Sequence, residues 1–529
     1  MRRKASCARG PINSITVANS SGFLALISRR SSVTSLNWSG GAWNATNNMQ
    51  PLYLSSTLRR IEQDYSNTTP SLMQRAGSAA AKWLEANFPP QPVVIVAGPG
   101  NNGGDAFICA QQLATRGWPV NVHALPSERP SAEHLAARCV WESTGGVIES
   151  TPPMQALGLL IDGLFGIGQL RSELGIASLW IDAINTHSGP VIALDIPSGL
   201  DCDTGAVMQA AVHATHTLSF LGGKPGLYTA QARDHAGSVH LFDLGLMLSR
   251  RYPADALLVA KPPTSLPARK HDVHKGSHGT VGIIGGSRGM TGAALLAGRA
   301  ALHCGAGKVY LGLVHDALAV DPCQPELMLQ PVSALPFEHI DVLAIGPGLG
   351  VEDWSRTHLT RVLGMDVPLV IDADGLNLIA SDKELKHCLA ARKAPTVLTP
   401  HPAEAGRLLG CGTASIQSDR LGAAAELVEQ YRCSVLLKGS GTICAAPGVP
   451  PSINASGNGA LASAGQGDVL TGAIAALMAQ GLPGLSAAQT AAYAHGAAAD
   501  AWRRQYAKGT GLTASETLVM MREQLNSNG

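Results

Sequence analysis

Two short loops of glycine and aspartate lie far apart in the chain and have the residue types needed to handle a phosphate and a proton. The first is Gly-Pro-Gly-Asn-Asn-Gly-Gly-Asp at residues 98–105, and the second is Ala-Gly-Gln-Gly-Asp at residues 464–468. Because glycine lacks a Cβ, such a backbone can approach a phosphate closely, and the terminal carboxylate can move a proton. Neither loop is a P-loop, because no Gly-Lys-Ser/Thr follows the glycines. The two loops predict two active sites.

In the first half of the chain, acidic residues lie at the ends of three predicted strands. Asp105 closes the first glycine loop, Asp162 precedes Gly-Leu-Phe-Gly-Ile-Gly, and Asp195 begins Asp-Ile-Pro-Ser-Gly-Leu-Asp. Parallel α/β sheets bind ligands in the crevice at the carboxyl ends of their strands, so we expect the three segments to converge. A single glycine turn is often only a turn, but recurrence with an acid at three strand ends favours a site. Asn and Ser oxygens beside a carboxylate also suit a hard cation.

In the second half, the glycine loop that ends at Asp468 runs directly into a predicted apolar helix. Glycines that open a helix direct backbone N–H groups and the positive end of the helix dipole at an anion. Asp468 then serves as general base on a hydroxyl while the N–H groups stabilise a transferring phosphoryl group. The alternative is an acidic N-cap without chemistry. Three further loops after predicted strands favour a cleft for a nucleotide and a substrate: residues 346–350, 399–404 and 438–442.

Strands and helices alternate in both halves, which predicts doubly wound α/β domains with parallel sheets. The predicted strands are residues 93–97, 119–123, 159–165, 191–195, 217–220 and 238–242, and then 281–284, 309–313, 342–345, 369–371, 396–398 and 435–437. A helical segment precedes the first strand, and Ala-rich helices are predicted over residues 469–501. A chain of 529 residues favours two or three domains. We predict an extension (1–50), a first domain (51–248), a Pro-rich linker (249–270) and a second domain (271–529).

The amino-acid composition indicates which class of partner the protein binds. The 39 Lys and Arg residues balance 38 Asp and Glu residues, so the chain has no excess of positive charge that would favour binding to nucleic acid or to an anionic membrane. A small molecule is the expected partner. No apolar run approaches the ~20 residues of a membrane-spanning helix. The ten cysteines include no Cys-x-x-Cys pair, which favours reduced thiols and a cytoplasmic protein. Residues 1–50 hold six basic residues and no acid, which favours a disordered or atypical extension, with an organelle transit peptide as the alternative.

The three motifs of the first half together resemble the epimerase domain of the NAD(P)H-hydrate repair enzymes. The resemblance implies that Asp195 acts at the reactive end of a damaged dinucleotide and that a potassium ion binds Asn102, Asp162 and Ser198. Lys224, in Gly-Gly-Lys-Pro-Gly-Leu, also matches the family, with a structural role left open, whereas Ala106 replaces a usual glycine. The residues implied to hold the dinucleotide are Asn101, Asn102, Gly103, Gly104, Asp105, Gly166, Ile167, Gly168, Gln169, Leu170, Arg171 and Ser172.

The loops of the second half, with residues 274–276 and 371–374, resemble the dehydratase domain of the same repair system, a member of the ribokinase-like superfamily. The resemblance implies that His401, Gly348 and Asp468 face the hydrated dinucleotide, with Asp468 as base. It also implies a magnesium-bound water on Glu404. Gln466 and Ala464 depart from the family pattern, which puts the turn geometry in doubt. The residues implied to bind the adenine nucleotide are Lys438, Gly439, Ser440, Gly441, Thr442 and Gly467.

The resemblance therefore implies a Rossmann-like three-layer domain followed by a ribokinase-like α/β domain, fused in one bifunctional enzyme. The first would interconvert the R and S epimers of NADHX and NADPHX, the hydrated forms of NADH and NADPH. The second would dehydrate the S epimer with Mg²⁺ and ADP, giving AMP and phosphate. We also expect a homo-oligomer. The alternative is a vitamin-precursor or sugar kinase joined to a dinucleotide-binding module that has no catalytic activity.

Overall fold

The computed structural model describes residues 49–126, 130–154, 157–168, 174–315 and 318–527. The extension predicted for residues 1–50 lies outside this part of the chain except for its last two residues. The strands, in chain order, are β1 (Met49–Leu52), β2 (Val93–Ala97), β3 (Val120–Ala124), β4 (Ile148–Glu149), β5 (Leu159–Gly163), β6 (Val191–Leu194), β7 (His216–Phe220), β8 (Ser238–Phe242), β9 (Ala256–Val259), β10 (Thr280–Gly285), β11 (Lys308–Leu313), β12 (Met328–Pro331), β13 (Val342–Ile345), β14 (Leu369–Ile371), β15 (Thr396–Leu398), β16 (Ser434–Leu437), β17 (Ile443–Ala446) and β18 (Val449–Asn454).

The α-helices connect these strands and cover the sheets. None of those described is long and apolar enough to cross a membrane. In chain order they are α1 (Ser55–Asp64), α2 (Leu72–Asn87), α3 (Asn101–Thr115), α4 (Ala132–Ser143), α5 (Ala177–Asn185), α6 (Leu248–Arg251), α7 (Thr291–His303), α8 (Asp353–Leu363), α9 (Ala373–Ser381), α10 (Lys383–Ala391), α11 (Pro402–Leu409), α12 (Thr413–Ser418), α13 (Arg420–Tyr431), α14 (Gln466–Ala479), α15 (Gly484–Gln505) and α16 (Ala514–Asn526).

The first sheet is parallel throughout, in the order β4-β3-β2-β5-β6-β7-β8. Its strands are apolar on both faces: Ile95 packs in one core cluster with residues of α1 to α4, and the next residue, Val96, packs with Trp180 of α5 in another. The strand order reverses between β2 and β5, which is where such sheets bind ligands. The loop after β2 carries the first glycine motif, and β5 ends in Asp162-Gly163.

The second sheet has the order β1-β9-β18-β17-β16-β15-β14-β13-β10-β11-β12. It is parallel from β16 to β12, whereas β17 runs antiparallel to both of its neighbours. Adjacent residues again face opposite cores, as Ile345 and Ala344 do on β13. The carboxyl ends of β13, β14, β15 and β16 therefore lie side by side, and each leads into one of the predicted site loops.

The predicted α/β class is confirmed, and every predicted strand is present with ends that differ by no more than two residues. The linker predicted at residues 249–270 contains β9, which pairs with β18, and β1 pairs with β9. The first half of the chain and the linker thus supply two strands to the second sheet. Leu227 and Tyr228 of the first half also pack in the same core cluster as Ile443 and Ile453 of the second.

Candidate active sites

A cavity of about 710 Å³ opens at the point where the first sheet reverses its strand order. The cavity is lined by residues of the loops after β2, β5, β6 and β7 and by α1. Seven predicted site residues line it: Asn101, Asn102, Asp105, Gly166, Ile167, Gly168 and Asp195. Gln169, Leu170, Arg171 and Ser172 lie outside the described residues. The three acid-bearing segments of the first half therefore converge, as predicted.

Gly103 and Gly104 lie in the first turn of α3, where they allow close packing. A Cβ on Gly103 would lie 1.8 Å from the carbonyl oxygen of Gly98, and one on Gly104 would lie 2.5 Å from the side chain of Met73. Only glycine fits the first of these positions, because the contact is with backbone. The two glycines shape the turn that presents Asn101, Asn102 and Asp105 to the cavity.

Asp195 carries the strongest sign of a reacting group in the first site. It has a φ of +68°, a left-handed conformation that is uncommon outside glycine and that clusters at functional sites. Its Oδ1 lies 2.7 Å from Nζ of Lys224 and accepts a hydrogen bond from the backbone N–H of Phe220. Lys224 is 1% exposed and also donates to Ser219 Oγ and the carbonyl oxygen of Phe220. The role left open for Lys224 is thus to hold and neutralise Asp195.

Two further carboxyl groups share the cavity with Asp195. Burial, reinforced by Asp195, raises the pKa of Glu62 to about 7, and burial together with Asp195 and Glu62 raises the pKa of Asp105 well above its usual range. The folded protein therefore retains the proton of Asp105 to a higher pH than a free aspartate does, and Glu62, with a pKa of about 7, exchanges its proton near neutral pH. The sequence analysis missed Glu62, because it lies on helix α1 outside any glycine motif and reaches the site only through packing.

These raised pKa values predict that the protein loses stability as the pH rises. The unfolded chain releases the Asp105 and Glu62 protons above about pH 4–5, whereas the folded protein retains them, so folding becomes less favourable with rising pH. For Glu62 the loss is complete above about pH 7. We expect urea denaturation to show lower stability at pH 8 than at pH 5, and Asp105→Asn to reduce that difference. The exposed Asp366→Asn is the control, and an Asp105→Asn variant with an unchanged difference would contradict the prediction.

Asn102, Asp162 and Ser198 meet beside this cavity in a group rich in oxygen acceptors. Asp162 is 0% exposed and accepts hydrogen bonds from the hydroxyl and backbone N–H of Ser198, at 2.6 and 2.8 Å. The side-chain amide of Asn102 donates to the carbonyl oxygens of Phe165 and Leu194. Its Oδ1 is buried and has no hydrogen-bond partner within the described residues. Burial raises the pKa of Asp162 to about 6, so this carboxyl is mostly ionised at neutral pH.

The second site is centred on Asp468, in the first turn of α14. Burial, reinforced by Asp372, raises the pKa of Asp468 to about 7, which is suitable for a general base near neutral pH. Lys438 Nζ lies 2.7 Å from Asp372 Oδ1, whose other oxygen accepts a hydrogen bond from Thr471 Oγ1. Burial lowers the pKa of Lys438, but Asp372 and Glu404 outweigh it and raise the pKa overall. The lysine is therefore a fixed positive charge beside the base.

The second glycine loop brings the start of α14 against this lysine. Gly465 has a φ of +86° and precedes the helix, and a Cβ on Gly467 would lie 3.2 Å from Lys438 Nζ. Gln466, which departs from the family pattern, is buried and bonded to His495, Ser463 and Thr517. The hydrogen bonds of the buried Gln466 side chain therefore hold the turn in place. The N-terminus of α14 lies beside the ammonium group of Lys438.

His401, after β15, lies at the N-terminus of α11 and is half exposed. Its Nδ1 accepts hydrogen bonds from the backbone N–H groups of Ala403 and Glu404, so the proton of the neutral ring is on Nε2, 3.2 Å from Glu404 Oε1. Burial, with Lys438 nearby, lowers the pKa of His401 and keeps the ring neutral. The Nε2–H that faces Glu404 is the one ring group that can donate to a substrate, if it turns from that carboxylate.

Gly348 and the loop from Gly439 to Thr442 complete the predicted set. Gly348 has a φ of +57° and lies against the backbone of Met290. Gly439 and Gly441 also have positive φ values, +135° and +64°, and their backbone lies against Arg420 and Tyr228. The structure thus brings Lys438, Gly467 and Asp468 into one centre and adds Asp372 and Thr471, which were not assigned roles from sequence. Asp372 directly follows a buried strand, which is the signal used for the other acids.

Comparisons with known proteins match both halves of the chain. A family model described as YjeF-related protein N-terminus matches residues 69–226, and one described as NAD(P)H-hydrate dehydratase matches residues 281–519. The bifunctional NAD(P)H-hydrate repair enzyme Nnr of Escherichia coli is 38% identical over 473 residues, which cover 85% of this chain and 89% of that protein. The chain belongs to this family. It is thus a bifunctional NAD(P)H-hydrate repair enzyme by family, with an epimerase half and a dehydratase half.

Other members of the repair enzyme family show the same relationship. The enzyme of Coxiella burnetii is 36% identical, over 85% of this chain and 95% of its own. A solved ADP/ATP-dependent NAD(P)H-hydrate dehydratase from Bacillus subtilis, co-crystallised with ATP and Mg²⁺, is 32% identical and covers 49% of this chain and 93% of its own, with a TM-score of 0.44. The family membership confirms the predicted resemblance, fold class and enzyme class. It supports the bifunctional reading over a vitamin-precursor or sugar kinase with an inactive first module.

Proposed function

We propose that the protein repairs NADH and NADPH that have been hydrated at the nicotinamide ring. The first site interconverts the R and S epimers of the hydrate, and the second dehydrates the S epimer at the expense of ADP, giving AMP and phosphate. The observation that carries the proposal is that each half has its own partly buried acid near the carboxyl ends of its parallel strands, with a lysine beside it: Lys224 pairs with Asp195, and Lys438 flanks Asp468. Two separate proton-handling centres fit two reactions on one substrate.

At the first site, epimerisation requires that a bond at the hydroxyl-bearing ring carbon break and re-form on the opposite face. Asp195 is the group that removes the hydroxyl proton and returns it. Lys224 holds the carboxylate in place through the ion pair at 2.7 Å. The raised pKa values of Asp105 and Glu62 favour their protonated forms, which can donate hydrogen bonds to the ring or its carboxamide. Asn101, Gly166, Ile167 and Gly168 line the space for the rest of the dinucleotide.

At the second site, Asp468 removes the proton of the substrate hydroxyl as that oxygen attacks the terminal phosphoryl group of the nucleotide. The positive end of α14 and Lys438 stabilise the charge that develops on the phosphoryl oxygens. Phosphate then leaves its ring carbon and the neighbouring carbon loses a proton to water, which restores the double bond of the ring. His401 and Gly348 border the substrate, and residues 438–442 with Gly467 border the nucleotide.

The choice of ADP and the use of Mg²⁺ are parts of this proposal. Asp372, Asp374 and Glu404 all contribute to the raised pKa of Asp468, so several carboxylates surround the single lysine, and this donor set fits a magnesium ion bound to a nucleotide. Within the described residues, no three His, Cys, Asp or Glu side chains are arranged to hold a metal ion alone. Glu404, which already contacts His401, would bind a water of the ion. The ion would neutralise charge on the transferred phosphoryl group.

A potassium ion at Asn102, Asp162 and Ser198 is a further part of the proposal. The buried and unpartnered Oδ1 of Asn102, next to the buried carboxylate of Asp162, fits a cation with oxygen ligands. Bound there, the ion would fix the loops that carry Asn102 and Phe165 at the edge of the cavity.

We expect potassium to stabilise the protein and Asp162→Asn to abolish that effect. Ligand binding to the folded state alone raises the free energy of unfolding by about 1–3 kcal/mol at concentrations well above the dissociation constant. Thermal midpoints should therefore rise when KCl replaces choline chloride, and epimerisation should be faster. The exposed Asp182→Asn, on α5, should retain the rise. Equal midpoints of the wild-type protein in the two salts would exclude the potassium site.

The full proposal is tested by incubating the protein with mixed hydrate epimers and either ADP or ATP while NADH absorbance is followed. Complete recovery of NADH requires both sites. Recovery of only the S half would remove the epimerase assignment, and a stable phosphorylated product without NADH would favour the kinase alternative. A homo-oligomeric state, a cytoplasmic location and the domain limits given above remain predictions.

A further inference from the structure

The proposed nucleotide-binding loop of the second site, residues 438–442, lies directly against a segment of the first half of the chain. Thr229 Oγ1 lies 3.1 Å from the carbonyl oxygen of Ser440 and 3.3 Å from that of Gly441, and the backbone N–H of Ala230 donates to Ser440 as well. Thr229 is 0% exposed. The loop is therefore held by hydrogen bonds from more than 200 residues away in sequence.

Arg420 fixes the same contact from the other side. Its guanidinium donates to Thr229 Oγ1 at 3.0 Å and to the carbonyl oxygens of Leu437 and Lys438 at 3.3 and 3.2 Å. The side chain is 1% exposed, and burial lowers its pKa to about 10. Buried polar groups are costly unless they are hydrogen-bonded, so Arg420 and Thr229 depend on each other for partners.

The loop has no room to shift towards the first half. A Cβ on Gly441 would lie 2.0 Å from the carbonyl oxygen of Tyr228, and one on Gly439 would lie within 2.9 Å of the Arg420 guanidinium. Both glycines have positive φ values, so the backbone follows a course that few other residues adopt. The position of the loop is thus set by Tyr228 and Thr229 rather than by its own strand alone.

We propose that Thr229 is a positioning residue for the nucleotide-binding loop of the second site, so that the first half of the chain contributes to nucleotide binding by the second. The inference rests on the proposed function of residues 438–442. Because Lys438 opens this loop and contacts Asp372, a displaced loop would move the lysine that faces the phosphoryl group. Nucleotide affinity should therefore respond to Thr229 more than the catalytic step does.

The test uses the full chain and compares Thr229→Val, Thr229→Ser and Thr217→Val. Thr217 is a matched control, because it is equally buried and donates to the carbonyl oxygen of Ala236 at 2.7 Å, within the first half. The measurements are kcat and the nucleotide KM for dehydration of the S epimer, the nucleotide Kd by calorimetry, and the thermal midpoint. We expect Thr229→Val to raise KM and Kd about five- to tenfold, on the scale of one lost hydrogen bond, with kcat within about twofold.

Thr229→Ser, which keeps the hydroxyl, should restore both constants, and Thr217→Val should leave them unchanged even if it lowers the thermal midpoint. Unchanged constants in Thr229→Val, or an equal rise in Thr217→Val, would overturn the role of Thr229. If Thr229→Val does not fold, Thr229→Ala takes its place, because Ala removes the hydroxyl and does not put a methyl group where the hydroxyl was. The same outcomes then apply to Thr229→Ala. A wild-type protein that binds neither ADP nor ATP would instead overturn the proposed function, and the role of Thr229 with it.

Discussion

Asp468→Asn is expected to lower the rate of dehydration of the S epimer by about 10²–10⁴-fold, the usual contribution of a positioned general base. The amide has the shape of the carboxylate but cannot accept the hydroxyl proton. Since burial and Asp372 raise the pKa of Asp468 to about 7, the wild-type rate should also fall as the pH decreases from 8 to 6, because only the ionised form is a base. The small rate left in the variant should lack this dependence. The measurement is kcat from NADH absorbance across that pH range.

Asp353→Asn is the matched control for this experiment. Asp353 also lies in the first turn of a helix, α8, but it is exposed and is not among the residues proposed for either site. If Asp468 only complemented a helix dipole, the two substitutions would have similar small effects. A variant with Asn at 468 that dehydrated the S epimer at nearly the wild-type rate would show that the acid is a helix cap without chemistry.

Asp195→Asn is expected to reduce epimerisation by a similar factor, about 10²–10⁴-fold, while dehydration of pure S epimer continues. Asn is the best replacement because it tolerates the left-handed φ that this position requires. It leaves the buried ammonium of Lys224 without its charged partner, so some loss of stability is expected. The dehydration rate of the same sample shows whether the protein is folded. The measurement is NADH recovery from the R epimer with nucleotide present.

The exposed Asp182→Asn provides the control within the same half. A variant at position 195 that recovered NADH from the R epimer at the wild-type rate would remove Asp195 from the mechanism. In that case Glu62, whose pKa of about 7 also suits a base, would be the next residue to test.

Much of each site could be predicted, because the sequence patterns that identify its residues span only a few neighbouring positions. An apolar run that ends in glycine and an acid marks the carboxyl end of a parallel strand, and parallel strands bring such ends together; Asp162 and Asp195 were identified in this way. Asp468 was identified from a glycine loop that opens an apolar helix. Glu62 could not be found, since its helix carries no motif and its role depends on packing against the sheet. Thr229 and Arg420 meet only because the two halves pack together, which no local pattern predicts.

Three of the strands that the sequence did not predict contain proline. β18 contains Pro450 and Pro451, β1 contains Pro51, and β12 ends in Pro331. Proline has no N–H for the ladder, so a pattern that contains it argues against a central strand. β1 and β12 are the two edges of the second sheet, where a missing donor is tolerated. β9 is apolar, but the prolines around it favoured a linker.

The pairing of β1 with β9 and of β9 with β18 means that the two catalytic halves share one sheet, although each has its own site. A fragment that began at residue 271 would lose both strands and leave the backbone N–H and C=O groups of β18 open along one side. An uncovered strand edge of this kind pairs readily with another copy. A dehydratase fragment without the first half should therefore self-associate. In the full chain, β9 and β1 cover the edge of β18 and so protect the protein against aggregation.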